Sequence, residues 1–172
     1  MVDRRIWFDR VFELGLPVEA FPDILERVRG TPARLEERLA GVDAAARVAR
    51  LGDRWSIQEN VGHLLDLEPL WAGRLDDLLG GIDELRPADL ENRKTREADH
   101  NAAESGALLA AFRVTRTDVV TRLESTAAAD MAREALHPRL KRPMRIVDLF
   151  FFVAEHDDHH LARITELLQQ RR

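Results

Sequence analysis

The sequence contains no cysteine, and this absence removes two kinds of site at once. Without thiol groups the chain can form neither disulfide bonds nor a zinc site with thiolate ligands. Any bound metal would have to be held by histidine, aspartate or glutamate side chains. The lack of cysteine says little by itself about the cellular compartment.

Long hydrophobic runs are also missing, so no segment is long enough to cross a bilayer. Arg4 and Arg5 near the start are not followed by the apolar segment of a signal peptide. The net charge is −5 and no basic patch dominates, which is unfavourable for nucleic-acid binding. We therefore expect a cytoplasmic protein with neither a nucleic acid nor a membrane as partner.

Several sequence motifs are absent as well. There is no internal repeat, no low-complexity tract, no Gly-rich phosphate loop and no Gly-x-Ser-x-Gly elbow. The 172 residues fit a single domain over residues 1–172 with a sizeable core. Residues 1–16 are expected to form an N-terminal arm that packs onto the body of this domain.

Apolar residues at steps of three and four predict an all-α fold, a bundle of four long helices. The helices are predicted over residues 18–42, 55–80, 101–123 and 146–172. Residues 82–101 lack periodicity and have the length of a crossover along the bundle between the second and third helices. A short helix is expected within residues 127–135, and no stretch alternates convincingly as a strand would.

Capping and helix-breaking residues predict where these helices begin and bend. Ser56 and Glu59 have the spacing of a capping box at the start of the second helix. Asn101 and Glu104 indicate a similar start for the third helix. Residues 30–32, Gly-Thr-Pro, are expected either to kink the first helix or to split it in two.

The fourth predicted helix carries the most informative pattern, because residues 155–160 contain three of the six histidines. Its apolar stripe comprises Ile146, Leu149, Val153, His156, His160, Ile164 and Leu167. His156 and His160 thus replace two apolar residues and lie one turn apart on the same face, where both can hold one metal ion. The alternatives are core histidines satisfied by hydrogen bonds, or a solvated helix end. His159 lies about 60° to one side and is expected at the rim of such a site.

His63 lies on the flank of the second helix, away from the centre of its apolar stripe. Periodicity leaves open whether it faces inward or is an ordinary, partly exposed histidine. Residues 156–160 also resemble the His-Glu-x-x-His zinc helix of metalloproteases, with Asp157 in place of glutamate. Aspartate is one methylene too short for the base, and little chain follows His160, so we do not expect a protease.

Together these features resemble the DinB-like metal-binding four-helix bundles, a family that includes metal-dependent hydrolases and low-molecular-weight-thiol S-transferases. The resemblance covers nearly the whole chain and is carried by residues 55–66, 92–95 and 153–164. It implies that His63 turns inward and joins His156 and His160 as a metal ligand. It also makes a homodimer an expected arrangement, while the DNA-damage origin of the family name implies no DNA binding.

Three histidine ligands would leave positions on the metal for water or substrate, which suits a catalytic site. The expected activity is that of a hydrolase or a thiol S-transferase acting on a small molecule, with a low-molecular-weight thiol as a candidate cofactor. Zinc or nickel is the first expectation for the metal, and manganese, iron or copper are further options. A metal-binding protein without catalysis and a metal-free histidine cluster remain as alternatives.

Further residues are candidates to support or line this site. They are Glu59, Asp66, Asp157, Asp158 and His159 for orienting the imidazoles or moving protons, and His137 and Arg139 for the mouth of the site. For Asp157 and Asp158 taken singly, a solvated helix face is the favoured interpretation. His137 and Arg139 would meet an anionic substrate if they line the mouth, and otherwise belong to an ordinary loop.

Overall fold

The computed structural model of the protein describes residues 4–170. In chain order its α-helices are α1 (Phe21–Leu39), α2 (Ala44–Val48), α3 (Ile57–Gly80), α4 (Arg93–Glu97), α5 (Ser105–Glu124) and α6 (Ile146–Gln169). Two strands, β1 (Glu134–Leu136) and β2 (Pro143–Arg145), pair antiparallel. Short 3₁₀ helices lie at Trp7–Asp9, Val18–Ala20, His100–Ala102 and Ala128–Ala132.

The four long helices α1, α3, α5 and α6 form a bundle in which each packs against two others. Helix α1 contacts α5 and α6, and α3 contacts the same two, so α1 and α3 lie on a diagonal. The predicted all-α bundle is confirmed, together with the long crossover, which spans residues 81–104 between α3 and α5. No helix in the part of the chain that the structure describes is both long and apolar enough to traverse a bilayer.

Helix boundaries follow the predicted caps at α3 and depart from them at α5. Ser56 and Glu59 form the capping box expected at the start of α3. At α5 the cap is Glu104, whose carboxylate accepts hydrogen bonds from two backbone N–H groups, and the helix begins one residue later. Asn101 is not part of that cap. Helix α1 continues through Pro32, so a split at residues 30–32 is wrong.

Other expectations are corrected at the level of short elements. The sequence predicted no strand, yet β1 and β2 form a hairpin, and three residues per strand are too few for a visible alternation. The segment predicted as a short helix over 127–135 holds a 3₁₀ helix at Ala128–Ala132. Helix α6 ends at Gln169, and residues 171–172, which were included in its prediction, lie outside the described residues.

The hydrophobic core consists of two clusters, separated along the bundle by a buried polar layer. Each long helix contributes one member to this polar layer, which comprises Thr31, Glu68, Arg116 and Asp157. The Arg116 guanidinium donates to both carboxylates and to a backbone carbonyl, and the Thr31 hydroxyl donates to Asp157 at 2.7 Å. The buried positive charge of Arg116 in the middle of the bundle is therefore paired with two carboxylates and fully hydrogen-bonded.

The crossover runs back along α3 and is tied to it by hydrogen bonds. Near its start the Arg86 guanidinium pairs with Asp77, and near its end the Gln58 amide donates to two backbone carbonyls. Upstream of α1, residues 4–16 lie against α6, where Phe12 packs against Phe152 with ring centroids 4.8 Å apart. These residues and the crossover line the same pocket, through Trp7 and Phe8 on one side and Pro87 and Asn92 on the other.

Candidate metal centre

Three histidines from two helices meet inside the bundle. One ring nitrogen from each of His63, His156 and His160 lies within 4.8 Å of the others, and the ring centroids are 4.6 to 5.3 Å apart. The three side chains are between 4% and 7% exposed. We refer to these three residues as the histidine cluster.

The helix packing explains why His63 belongs to this cluster although it lies off the apolar stripe of α3. Helix α3 contacts both α5 and α6, so it buries a wide arc that includes the flank carrying His63. On α6, His156 and His160 face α3 because they lie one turn apart on the inward stripe. The interpretation of His63 as a partly exposed histidine is therefore wrong.

All three imidazoles are held in the neutral form. Burial lowers the pKa of His63 to about 4, with only partial opposition from the charge of Asp66. Burial lowers the pKa of His156 and of His160 well below the usual value, and the neighbouring histidines add to the effect. Neutral imidazole is the form in which histidine binds a metal ion.

Hydrogen bonds determine which nitrogen of His63 and of His160 is free. The Thr95 hydroxyl donates to Asp66 at 2.9 Å, so it accepts from Nδ1–H of His63 at 3.1 Å. The Asn60 side-chain oxygen accepts from Nδ1–H of His160 at 2.9 Å. In both rings the Nε2 lone pair is left for a ligand.

His156 lacks such a partner. Its Nδ1 atom is buried and has no hydrogen bond among the described residues. A buried polar nitrogen without a partner is costly, by about 1–3 kcal/mol. Core histidines satisfied by hydrogen bonds would not leave this nitrogen unpaired, whereas three neutral imidazoles converging within 4.8 Å fit a transition-metal ion.

The histidine cluster lies at the wall of a pocket of about 400 Å³. All three tryptophans of the chain, Trp7, Trp55 and Trp71, line the same pocket. Of the residues predicted around the site, His159, His137 and Arg139 also line it. His159 is half-buried beside the cluster, where its ring accepts a hydrogen bond from Arg4.

Asp66 lies behind the cluster and reaches His63 through Thr95. Its carboxylate also bonds His100, whose ring packs on Gly62. A methyl group at Gly62 would come within 2.3 Å of that ring, so glycine is required for this close approach. Asp66 therefore orients the cluster indirectly.

Three predicted carboxylates lie away from the cluster. Glu59 caps α3 and pairs with Arg50, and its hydrogen bonds among the described residues go to neither His63, His156 nor His160. Asp157 lies in the polar layer, bonded to Arg116 and Thr31, and is 0% exposed, so the solvated helix face is wrong for it. Asp158 is half-buried and pairs with arginines of α1.

Sequence reasoning missed four residues that shape the site: Asn60, Thr95, Trp55 and Arg74. Asn60 lies one turn before His63 on α3, a spacing that placed it on the same flank. Thr95 lies in a crossover without periodicity, so its signal was its place in the stretch 92–95 that carries the family resemblance. Arg74 is three turns beyond His63 on nearly the same face, which becomes informative only once that face is known to line a pocket.

Comparisons with known proteins agree with this architecture. The sequence profile of the DinB superfamily matches residues 25–164. YfiT from Bacillus subtilis, described as a probable metal-dependent hydrolase with an unusual four-helix bundle topology, superimposes with a TM-score of 0.82 at 20% identity, covering 94% of this chain and 93% of that chain. A mycothiol-dependent maleylpyruvate isomerase superimposes with a TM-score of 0.68 at 15% identity, covering 87% of this chain and 61% of that chain.

No curated protein sequence matches the chain significantly. At identities of 20% and below, the likeness to the two solved structures shows the fold. The profile match covers most of the chain, including α3 and the histidines of α6. This chain therefore belongs to the DinB superfamily.

Proposed function

We propose that the protein is a metal-dependent enzyme that acts on a small molecule in the pocket, with His63, His156 and His160 as the metal ligands. The observation that carries this proposal is the convergence of three neutral, buried imidazoles at the wall of an open pocket. Structural metal sites are usually closed by four protein ligands, whereas catalytic sites keep a position for water or substrate. No fourth histidine or carboxylate joins the cluster among residues 4–170.

An all-nitrogen ligand set suits zinc or nickel first, and iron, copper or manganese after them. Such an ion, when bound, supplies Lewis-acid chemistry that lowers the pKa of a water or thiol in the pocket. The protein's own contribution is orientation. Thr95, held by Asp66, fixes the ring of His63, and Asn60 fixes the ring of His160.

Hydrolysis and thiol transfer place different demands on the residues around the cluster. Hydrolysis needs a group that accepts a proton from water. Asp89 is the one carboxylate among the described pocket-lining residues, and it is already bonded to Arg93 and to two backbone N–H groups. This arrangement favours thiol transfer, in which the thiolate is the nucleophile. A thiol is far more acidic than water, so it releases its proton to solvent without a strong protein base.

The two structural neighbours are consistent with a hydrolase or a thiol-dependent enzyme. One is described as a probable metal-dependent hydrolase and the other as a mycothiol-dependent maleylpyruvate isomerase. We propose thiol S-transfer as the first activity of this protein and hydrolysis as the second. In either case the substrate is a small molecule, because the pocket has a volume of about 400 Å³.

The first test is the metal content of protein purified without a histidine tag, measured by elemental analysis. We expect about one transition-metal ion per chain, as one three-histidine site requires. The double variant His156→Ala, His160→Ala should lose the metal. The matched control is His159→Ala, which removes a histidine of the same helix outside the ligand set and should keep it.

The second test is turnover by the metal-loaded protein. Loss of free thiol in the presence of an electrophile is followed with a thiol-reactive dye, and the absence of cysteine removes any background from the protein. Hydrolysis of nitrophenyl esters is followed in parallel. A wild-type protein that stays metal-free and is not stabilised by zinc or nickel would contradict the metal site. If the metal-loaded protein shows turnover in neither assay, the proposed enzymatic activity is refuted and the protein is a metal-binding protein without catalysis.

A further inference from the structure

Two arginines line the pocket at the end away from the histidine cluster, and neither has a carboxylate partner. Arg74 on α3 is 1% exposed, and Arg139 lies half-buried in the loop between β1 and β2. No carboxylate of the described residues lies within 4.0 Å of either guanidinium. The charge of Asp77 stabilises the protonated form of Arg74 without direct contact, and both oxygens of Asp77 are bound by Arg86.

The hydrogen bonds around these arginines leave an excess of donors. Nη2 of Arg139 is buried and has no partner among the described residues. Two backbone N–H groups of the same loop donate to Nδ1 of His137 at 3.1 and 3.2 Å, and Nη1 of Arg74 lies 3.1 Å from Nε2 of the same ring. Neutral imidazole accepts at only one nitrogen, here Nδ1, so Nε2 carries the proton and gives Nη1 of Arg74 no acceptor.

His137 is neutral, so it neither offsets nor increases the positive charge of Arg74 and Arg139. Burial and the two nearby guanidinium groups lower the pKa of His137 to about 3, so the ring is neutral. Burial also lowers the pKa of Arg74 to about 10, which still leaves a full charge at neutral pH. Two unpaired cations in a partly buried site are unfavourable unless an anion joins them.

The space between the arginines and the histidine cluster is apolar. The Arg74 guanidinium lies 5.7 Å from the Trp71 ring, and that ring lies 5.8 Å from the ring of His156. Phe152 lines the same pocket, and its ring lies 5.5 Å from that of His137. A ligand that reaches from the cluster to the arginines would therefore pass along aromatic side chains, which favours an apolar body.

We propose that Arg139, reinforced by the buried charge of Arg74, forms an oxyanion subsite in this pocket. The substrate class is then a small molecule that carries a carboxylate or phosphate on an apolar body, with its reacting group at the histidine cluster. Arg139 is the residue that touches the anion, and Arg74 acts through its positive charge. The placement of the reacting group at the histidine cluster rests on the proposed function, whereas anion binding at Arg139 does not.

The test is a titration of the pocket by tryptophan fluorescence, which reports on it because all three tryptophans line it and the chain has no tyrosine. Phenylbutyrate and phenethyl phosphate are compared with phenylbutanol, a neutral analogue of the same body. Each is titrated into metal-free and zinc-loaded protein. We expect at least one anion to bind about tenfold or more tightly than the alcohol in the metal-free protein.

Arg139→Gln should remove this preference and leave binding of the alcohol unchanged, and Arg74→Met should weaken it. Lys141→Gln is the matched control, because it removes one positive charge from the same loop at a residue that does not line the pocket. It should keep the preference. Circular dichroism establishes that each variant is folded.

Equal binding of anions and alcohol, or a preference that survives in folded Arg139→Gln, would overturn the subsite. A preference seen only in the zinc-loaded protein would also overturn it, because the anion would then be bound at the metal. A protein that binds no zinc but still prefers the anions through Arg139 would instead refute the proposed function and support the subsite.

Discussion

At the scale of single residues, the hydrogen-bond partner of each histidine decides what the ring can do. Thr95 and Asn60 both accept from Nδ1–H, so His63 and His160 present Nε2 to the space between α3 and α6. His156 has a buried nitrogen without any partner among the described residues. The cluster is thus prepared to bind through its remaining lone pairs, and its partners hold the rings in place.

This role of Thr95 leads to a prediction for metal affinity. Thr95→Val keeps the shape of the side chain but removes the hydroxyl that accepts from His63 and donates to Asp66. We expect zinc affinity to fall by about 10- to 100-fold, as is typical when the partner of a histidine ligand is lost. Competition with a chromophoric chelator measures this change.

Two further variants make that experiment decisive. Thr95→Ser restores the hydroxyl and should recover most of the affinity. Thr117→Val removes an exposed hydroxyl that bonds only to its own helix, and it should leave zinc binding unchanged. Wild-type affinity in Thr95→Val would show that the hydroxyl does not position His63.

At the scale of the elements, the four long helices are tied together by the polar layer. Arg116 of α5 bonds Glu68 of α3 and Asp157 of α6, while Thr31 of α1 bonds Asp157. The layer separates the two apolar clusters, and its member Asp157 directly follows His156 in the sequence. Its members interact only when the four helices are in one axial register, so we propose that it selects this register.

Removing the charge at the centre of this layer should destabilise the fold. Arg116→Met leaves two buried carboxylates without a cation, and we expect the free energy of unfolding to fall by about 3–5 kcal/mol. Urea denaturation followed by circular dichroism measures the loss. The triple variant Arg116→Met, Glu68→Leu, Asp157→Leu replaces the layer by apolar side chains and should regain most of the stability. A single variant as stable as the wild type would refute the account.

At the scale of the whole molecule, five buried or half-buried histidines stay neutral when the chain is folded. Burial lowers the pKa of His63 and His159 to about 4 and of His137 to about 3, and the pKa of His156 and His160 lies well below the usual value. In the unfolded chain the same groups titrate near 6.5. Between these values the unfolded state binds more protons than the folded state.

Stability of the metal-free protein should therefore be complete above pH 6.5 and be lost as the pH falls towards about 4. Each histidine contributes up to about 1.4 kcal/mol per pH unit in this window. Urea denaturation at a series of pH values gives the slope. The variant His156→Leu, His160→Leu restores the apolar stripe of α6 and removes two of these groups, so its slope should be shallower. Equal slopes for the two proteins would contradict this explanation.

The local pattern of the chain was sufficient for the long helices and for two of the three residues of the histidine cluster. Apolar spacing predicted four long helices, and the Ser56–Glu59 box predicted the start of α3, because caps and periodicity depend on neighbours within a few residues. The pairing of His156 with His160 follows from the helical repeat in the same way. The hairpin of β1 and β2 was not predicted, because strands of three residues are too short to show an alternating pattern.

What the sequence by itself determined is therefore the four long helices, the inward face of α6, and the chemistry that a cysteine-free chain can offer a metal. Periodicity left the direction of His63 open and the family resemblance implied it, and the tertiary structure places it against α6. Only the tertiary structure decided that Asp157 lies in the polar layer, that Thr95 bonds His63 and that Arg74 lines the pocket. The physical reason is that these contacts join residues far apart in the chain. They depend on which helices are neighbours, and a local repeat contains no information about that choice.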